Sequence, residues 1–136
     1  MKHKAVIVFS VFVLIIIANG LGSVAIVDWS DVERIAVYDE YATLGSTVTI
    51  EYYVVNDRPV DVQVENIPWF STRILWSLES NPLQKTSSGP TLKYLVIPAK
   101  DRVSCDSETI YIKKTGYVVV QKTGFPDVRI DVVDES

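Results

Sequence analysis

The alternation of apolar and polar positions is the strongest structural signal along the chain. Over residues 60–65, Val60, Val62 and Val64 alternate with acidic and amide side chains. A period of two places such apolar side chains on one face of a β-strand. The same alternation recurs over residues 47–52, 109–113 and 127–132. We therefore expect strands with one buried face and one solvated face.

Short segments rich in Gly, Pro, Asn and Asp separate the predicted strands. Shorter strand candidates lie at residues 32–38, 73–78, 92–97 and 117–121, and the separators lie at 56–59, 81–82, 87–90, 114–116 and 123–126. Gly supplies positive φ in turns, and Pro fixes φ and removes a donor. The pattern predicts one all-β domain over residues 24–136, an immunoglobulin-like antiparallel β-sandwich of about 7–8 strands.

The first residues have the layout of an export signal. Lys2 and Lys4 precede an uncharged apolar run over residues 5–18, and small residues follow it. This arrangement is typical of a secretory signal peptide, here residues 1–22. If the segment is not cleaved, residues 5–27 are long enough to span a bilayer, which takes about 20 residues. We expect an N-terminal hydrophobic helix, either signal peptide or signal anchor, that delivers the domain across a membrane.

Charge and residue types argue against several classes of function. The chain has 17 acidic and 13 basic residues and a net charge of −4, which opposes binding to nucleic acid. The single histidine is His3, in the export segment, so no Ser-His-Asp or Cys-His arrangement is available to the domain. Neither a Gly-rich phosphate loop nor Cys/His metal spacing occurs. The sequence predicts no enzyme, no catalytic residue, no cofactor and no metal.

Cys105 is the only cysteine, so an intramolecular disulfide cannot form. Two interpretations are open for it. The side chain is either a small apolar group packed in the core or a reactive thiol for redox chemistry or intermolecular pairing. The exposure of the sulfur atom distinguishes them.

Aromatic residues are the best candidates for contact with a partner. Trp69 and Phe70 follow Pro68 after a predicted strand, and exposed aromatics in a loop make good anchors. The alternative is that one of the two closes the end of the sandwich. Tyr53 is a weaker contact candidate, because it projects from the polar face of its strand. Trp29 lies near the start of the domain, where a membrane-proximal, interfacial role is expected.

Residues 41–52, 54–56 and 60–62 resemble the start of the lumenal domain of the translocon-associated protein beta subunit family. Residues 97–104 resemble the family's Pro-containing turn and residues 114–117 its Gly-aromatic turn, so the resemblance extends over roughly residues 38–133. It implies a non-catalytic accessory subunit of the protein-translocation machinery, in the endoplasmic reticulum membrane or lumen. The partners implied are the translocation channel and its accessory subunits, with the membrane as a further partner if the N-terminal segment is uncleaved.

The composition fits a second function equally well. A secreted or surface-anchored immunoglobulin-like module, extracellular or at the cell surface, would use edge strands that pair between copies. Co-purification with the translocation channel supports the first function, and concentration-dependent self-assembly supports the second.

Overall fold

The computed structural model describes residues 2–7, 15–18, 23–79, 83–86 and 93–134, and this part of the chain is built of β-strands. The strands are β1 Lys2–Ile7, β2 Ile15–Ala18, β3 Ser23–Asp28, β4 Glu33–Asp39, β5 Tyr41–Thr43, β6 Thr47–Val55, β7 Asp61–Glu65, β8 Ser71–Trp76, β9 Leu83–Thr86, β10 Tyr94–Ile97, β11 Arg102–Tyr111, β12 Gly116–Lys122 and β13 Val128–Val133. One 3₁₀ turn, Trp29–Asp31, follows β3. The predicted all-β class is confirmed. The predicted separators at residues 81–82 and 87–90 lie outside the described residues.

The strands form three sheets. Sheet 1 has the order β1-β4-β6-β11, sheet 2 the order β10-β7-β3-β2, and sheet 3 the order β5-β13-β12-β8-β9. Neighbouring strands are antiparallel except for the parallel pairs β3–β7 and β5–β13. Each strand of sheet 1 has a strand of sheet 2 next to it in the chain: β1 has β2, β4 has β3, β6 has β7 and β11 has β10. These corresponding strands occur in the same spatial order in the two sheets. Buried residues of all three sheets form one core, as expected of a sandwich.

The predicted apolar faces are the faces that the structure buries. Along β6, Val48, Ile50, Tyr52 and Val54 are at most 7% exposed, and the residues between them are half-buried or exposed. Val62 and Val64 of β7 are fully buried as well, with polar residues on the other side of that strand. Alternation in the sequence therefore corresponds to burial in the core.

A β-bulge in β11 changes which residues of that strand face the core. The register passes from Ser104 opposite Tyr53 to Asp106 opposite Tyr52, and Cys105 is the extra residue. A bulge of this kind places two residues against one on the partner strand. Beyond it, Glu108 lies opposite the buried Ile50, so Asp106 and Glu108 share the inner face of sheet 1. Without the extra residue both carboxylates would lie on the outer face.

The described residues of the N-terminal segment form two strands, β1 and β2, where the sequence predicted a hydrophobic helix. β1 pairs with β4, from Lys2 opposite Asp39 to Ile7 opposite Arg34, and β2 pairs with β3. Both strands contain Val or Ile, whose branched Cβ favours extended backbone, and the edges of sheets 1 and 2 supply backbone partners. No helix in the described ranges is long and apolar enough to cross a bilayer.

The Asn56 side chain forms hydrogen bonds with both the loop that precedes β7 and the end of β10 with the loop that follows it. Its side chain is 1% exposed, and its amide nitrogen donates to the carbonyl oxygens of Val60 at 2.8 Å, Ile97 at 3.1 Å and Pro98 at 3.1 Å. Its amide oxygen accepts a hydrogen bond from the Arg58 backbone N–H at 3.0 Å. A buried side chain that satisfies this many backbone groups holds both loops in place, and with them the end of β10.

Candidate functional site

β10 forms an edge of sheet 2, where its one neighbour among the described strands is β7. Tyr94 and Val96 project from its outer face and are 57% and 44% exposed, whereas Ile97 is fully buried. An edge strand presents backbone N–H and C=O groups that an additional strand can pair with. β10 therefore offers a short backbone template together with two apolar side chains.

The surface next to Tyr94 and Val96 is acidic and polar. Glu65 of β7 lies opposite Tyr94, and Gln63 lies opposite Val96. The Gln63 amide donates to a carboxylate oxygen of Glu65 at 2.9 Å, which orients that carboxylate. We call Tyr94, Val96, Gln63 and Glu65 the β10 face.

Asp28 adds a further negative charge to the same side of sheet 2, since it lies opposite Glu65 on the parallel strand β3. The Ser30 hydroxyl donates to its carboxylate at 2.6 Å, and the side-chain amide of Asn66 also donates to it. These hydrogen bonds, with that from the Ser30 backbone N–H, hold the pKa of Asp28 below its usual value. The carboxylate is therefore ionised at neutral pH.

The structure separates the two aromatic residues predicted as a pair of contacts. Trp69 is 49% exposed in the loop between β7 and β8, whereas Phe70, its neighbour, is 7% exposed and belongs to the core. Phe70 is thus placed as the alternative interpretation describes, as a residue that closes the core. Tyr53 is half-buried on β6, and the Arg102 guanidinium lies over its ring at 4.2 Å. Trp69 lies in the loop between β7 and β8, whereas Tyr53 lies on β6 of sheet 1.

Trp29 lies in the core, so the interfacial role predicted from its position near the export segment is corrected. It is 5% exposed, and its ring centroid lies 5.7 Å from that of Phe70 and 5.6 Å from that of Phe125. Phe125 also contacts Tyr52, with centroids 4.9 Å apart. The Arg34 guanidinium lies 5.1 Å from the Trp29 ring. The 3₁₀ turn after β3 directs Trp29 inward, and burial among other rings stabilises it there.

A buried charged cluster lies between sheets 1 and 3. The side chain of Lys122, at the end of β12, is 1% exposed, and its Nζ atom lies 2.6 Å from Asp106 Oδ2 and 3.2 Å from Glu108 Oε1. The ammonium also donates to Thr72 Oγ1 at 2.9 Å, and the Thr72 hydroxyl donates to Glu108 at 2.9 Å. The Tyr52 ring lies 5.1 Å from Nζ. We call Lys122, Asp106, Glu108 and Thr72 the Lys122 cluster.

Sequence reasoning missed the Lys122 cluster, although one signal for it was present. Val118, Val120 and Lys122 occupy alternate positions of one strand, so the lysine shares the face of two core valines. A lysine on a buried face needs an anionic partner. The partners were missed because Asp106 and Glu108, which continue the buried face of Ile110, lie before the start of the alternation predicted over residues 109–113. In the part of the chain that is described, no group of three His, Cys, Asp or Glu side chains is placed to hold a metal ion.

Cys105 packs against the core beside the Lys122 cluster and is a free thiol of intermediate exposure. Burial, with a smaller contribution from the Asp106 charge, raises the pKa of this thiol to about 12. A thiol with so high a pKa carries very little thiolate at neutral pH, and thiolate is the reactive form. The position therefore favours the interpretation of Cys105 as a packing residue.

We expect Cys105 to resist alkylation in the native protein. At neutral pH its thiolate fraction should be about a thousandfold lower than that of an unfolded cysteine, because each pKa unit above the solution pH reduces it tenfold. Iodoacetamide labelling, followed by mass spectrometry with and without denaturant, measures this difference. Equal labelling rates in the two conditions would show that the thiol is accessible and reactive in the folded chain.

Neither a protein-family model nor a curated protein sequence matches the chain. Among solved structures, two crystal structures of a beta-glucosidase from Listeria innocua show some likeness, one in complex with glucose and one with gluconolactone. The first has a TM-score of 0.42 at 9% identity over 70% of this chain, and the second 0.41 at 10% identity over 91%. This chain spans 15% and 16% of the length of those proteins.

The neighbours overturn one prediction. The missing catalytic motifs led us to predict that the chain is not an enzyme, and the structures that it resembles are enzymes, so that prediction is withdrawn. A likeness at these scores carries no argument for glucosidase activity or for any other activity of this chain.

Proposed function

We propose that this chain is an exported immunoglobulin-like subunit that binds an extended segment of a partner protein by strand addition at β10. The observation that carries the proposal is the combination of a sheet edge with Tyr94 and Val96, which are 57% and 44% exposed. In strand addition, backbone hydrogen bonds provide affinity, and alternate side chains provide specificity. The β10 face has both elements.

The charges of the β10 face and its surroundings favour a particular kind of partner segment. Glu65 and Asp28 lie on neighbouring strands of the same side, and the whole chain has a net charge of −4. A strand added beside β10 would contact Tyr94 and Val96, with Glu65 on the same face two strands away and Asp28 three strands away. The complementary segment therefore alternates apolar residues with Lys or Arg, since complementary charge gives specificity and faster association.

The resemblance to the translocon-associated protein beta subunit family supports a choice of partner. Under this proposal the segment belongs to the protein-conducting channel of the endoplasmic reticulum or to one of its accessory subunits, and the domain lies on the lumenal side of that membrane. The exposed Trp69, in the loop that follows β7, would add an aromatic anchor to the contact. The N-terminal segment would direct the domain across the membrane, and its described residues would then pair with the domain as β1 and β2.

The substitution Val96→Lys tests the proposal by placing a charge on the edge strand. A lysine on an edge strand opposes pairing with another strand, and the side chain is exposed enough to be replaced without loss of the fold. We expect the amount of channel protein that co-purifies with the full-length chain from detergent-solubilised membranes to fall about tenfold, the effect of one contact worth about 1.4 kcal/mol. Leu78→Lys is the matched control, because Leu78 is also apolar and is 68% exposed in the turn after β8.

Two results would contradict the proposal. One is equal recovery of the channel with Val96→Lys and Leu78→Lys, which would show that β10 is not the contact. The other is the absence of channel protein together with concentration-dependent self-association of the purified chain in sedimentation experiments. That second result would assign the β10 edge to contacts between copies, as in a secreted or surface-anchored module.

A further inference from the structure

The geometry points to an isopeptide bond between the Lys122 amine and the Asp106 carboxyl group, formed by the protein itself, with Glu108 as the proton carrier. The lysine Nζ atom lies 2.6 Å from Asp106 Oδ2, and the lysine side chain is 1% exposed. Glu108 Oε1 lies 3.2 Å from the same nitrogen atom, so one acid is placed to react and the other to exchange protons. The three groups meet inside the sandwich, where bulk water does not compete for the amine.

The reaction is a condensation whose atoms and electrons balance without any further reagent. The Lys122 ammonium gives one proton to the Glu108 carboxylate, Glu108 passes that proton to Asp106, and the free amine then attacks Cγ of the neutral Asp106 carboxyl group. As the new N–C bond forms, Glu108 takes up a proton from the nitrogen and delivers one to the departing hydroxyl group. The C–O bond breaks, and one water molecule leaves. An ammonium and a carboxylate thus become one neutral amide, and Glu108 returns to its starting state.

Burial is what makes this reaction favourable here. In water, amines and carboxylic acids ionise, and the hydration of the two ions opposes amide formation. In the core that hydration is lost, and a buried ion pair is costly even when it is well paired. The amide carries no charge and so avoids this cost. Positioning contributes as well, because well-oriented neighbouring groups react as if present at about 10⁵–10⁸ M.

The surroundings of the three groups fit the proposed roles. Thr72 accepts a hydrogen bond from Lys122 and donates one to Glu108, which fixes both relative to Asp106. The side chains of Asp106 and Glu108 are 24% and 14% exposed, so the released water has a short path to solvent. The amine itself is enclosed, which protects the product from hydrolysis.

The bond would join sheet 1 to sheet 3 covalently. Asp106 lies on β11 of sheet 1 and Lys122 on β12 of sheet 3. With a single cysteine, the chain has no disulfide to provide such a link. A cross-link between layers limits the freedom of the unfolded chain and slows its degradation outside the cell or in a lumen. This inference stands apart from the function proposed above, because it concerns the core and not the β10 face.

Mass spectrometry of the purified full-length chain tests the inference directly. After the N-terminus has been read from the same sample, the intact mass is expected to fall short of the sequence mass by one water molecule. Trypsin should fail to cut after Lys122, and residues 103–113 should be recovered joined to residues 115–129 as one branched peptide. An intact mass equal to that of the sequence, with normal cleavage after Lys122, would overturn the inference.

Two variants assign the reaction to the named groups. Lys122→Arg keeps the charge but has no amine that condenses in this way, so it should show the full sequence mass. Glu108→Gln keeps the size of the side chain but cannot carry the proton, and the loss of water should slow at least tenfold in freshly refolded protein. If Lys122→Arg does not fold, Glu108→Gln still tests the assignment. Loss of water at the wild-type rate in either variant would contradict the assigned roles.

Discussion

Lys122→Met is expected to lower the free energy of unfolding, relative to the ion-paired chain that has not formed the cross-link, by about 3–5 kcal/mol, which is the usual cost of removing one member of a buried charge pair. Asp106 and Glu108 would remain between the sheets without the ammonium group that lies 2.6 Å and 3.2 Å from their carboxylate oxygens. The hydroxyl of Thr72 would lose a donor as well. Urea unfolding of the full-length chain, followed by fluorescence, measures the change.

A matched substitution at the surface separates the effect of burial from that of losing a lysine. Lys114 forms an ion pair with Glu79 at 2.8 Å, but its side chain is 39% exposed. Lys114→Met should cost far less than Lys122→Met, because solvent-exposed ion pairs contribute little to stability. Adding Asp106→Asn and Glu108→Gln to Lys122→Met should recover part of the lost stability, because the two carboxylate charges that faced the ammonium group are then removed as well. Equal losses for Lys122→Met and Lys114→Met would contradict the structure of the Lys122 cluster.

Phe70→Ala is expected to destabilise the fold by about 3–5 kcal/mol, whereas Trp69→Ala should change stability by no more than about 0.5 kcal/mol. Phe70 is 7% exposed, and its ring lies 5.7 Å from that of Trp29 and 5.6 Å from that of Phe125, so truncation leaves a cavity among the rings. Trp69 is 49% exposed and leaves no comparable cavity. Thermal and urea unfolding of the two variants provide the comparison.

The comparison of Phe70→Ala with Trp69→Ala is informative because the two residues are adjacent and both aromatic. A similar loss for both variants would show that Trp69 packs against the fold instead of projecting from it. The reverse order of effects would place Phe70 at the surface. In the proposed function, Trp69→Ala should weaken partner binding while leaving the unfolding curve unchanged.

The alternation in the sequence predicted where many strands lie but not how they are arranged. Residues 47–52 fall within β6 and residues 60–65 within β7 except for Val60, which precedes that strand and is half-buried; the other apolar positions are buried as predicted. The orders of the three sheets come from contacts between residues far apart in the chain, such as Asn56 with Ile97, and no local pattern encodes them. The N-terminal segment was predicted as a helix from its flanking lysines and its apolar run, whereas its described parts pair as β1 and β2.

Residue type alone could not assign the site residues to core or surface. The sequence offers Trp69 and Phe70 equally as anchor residues. The packing of Phe70 against Trp29 and Phe125 is what distinguishes it from Trp69. Trp29 lies close to the export segment along the chain, but the turn that follows β3 places it inside the domain. Nothing in the sequence distinguishes Tyr94 and Val96 from other strand residues. The order of sheet 2 identifies them as edge-strand residues, because it places β10 at an edge.

Site-specific photo-crosslinking at position 96 tests the proposed function most directly. A photoreactive amino acid replaces Val96 in the full-length chain, and a second protein carries it at position 78 as the control, since Leu78 is exposed in a turn outside the β10 face. Illumination of intact membranes is predicted to join position 96, and not position 78, to a subunit of the translocation channel. Equal products from both positions, or a product at position 96 that contains only a second copy of this chain, would contradict the proposal.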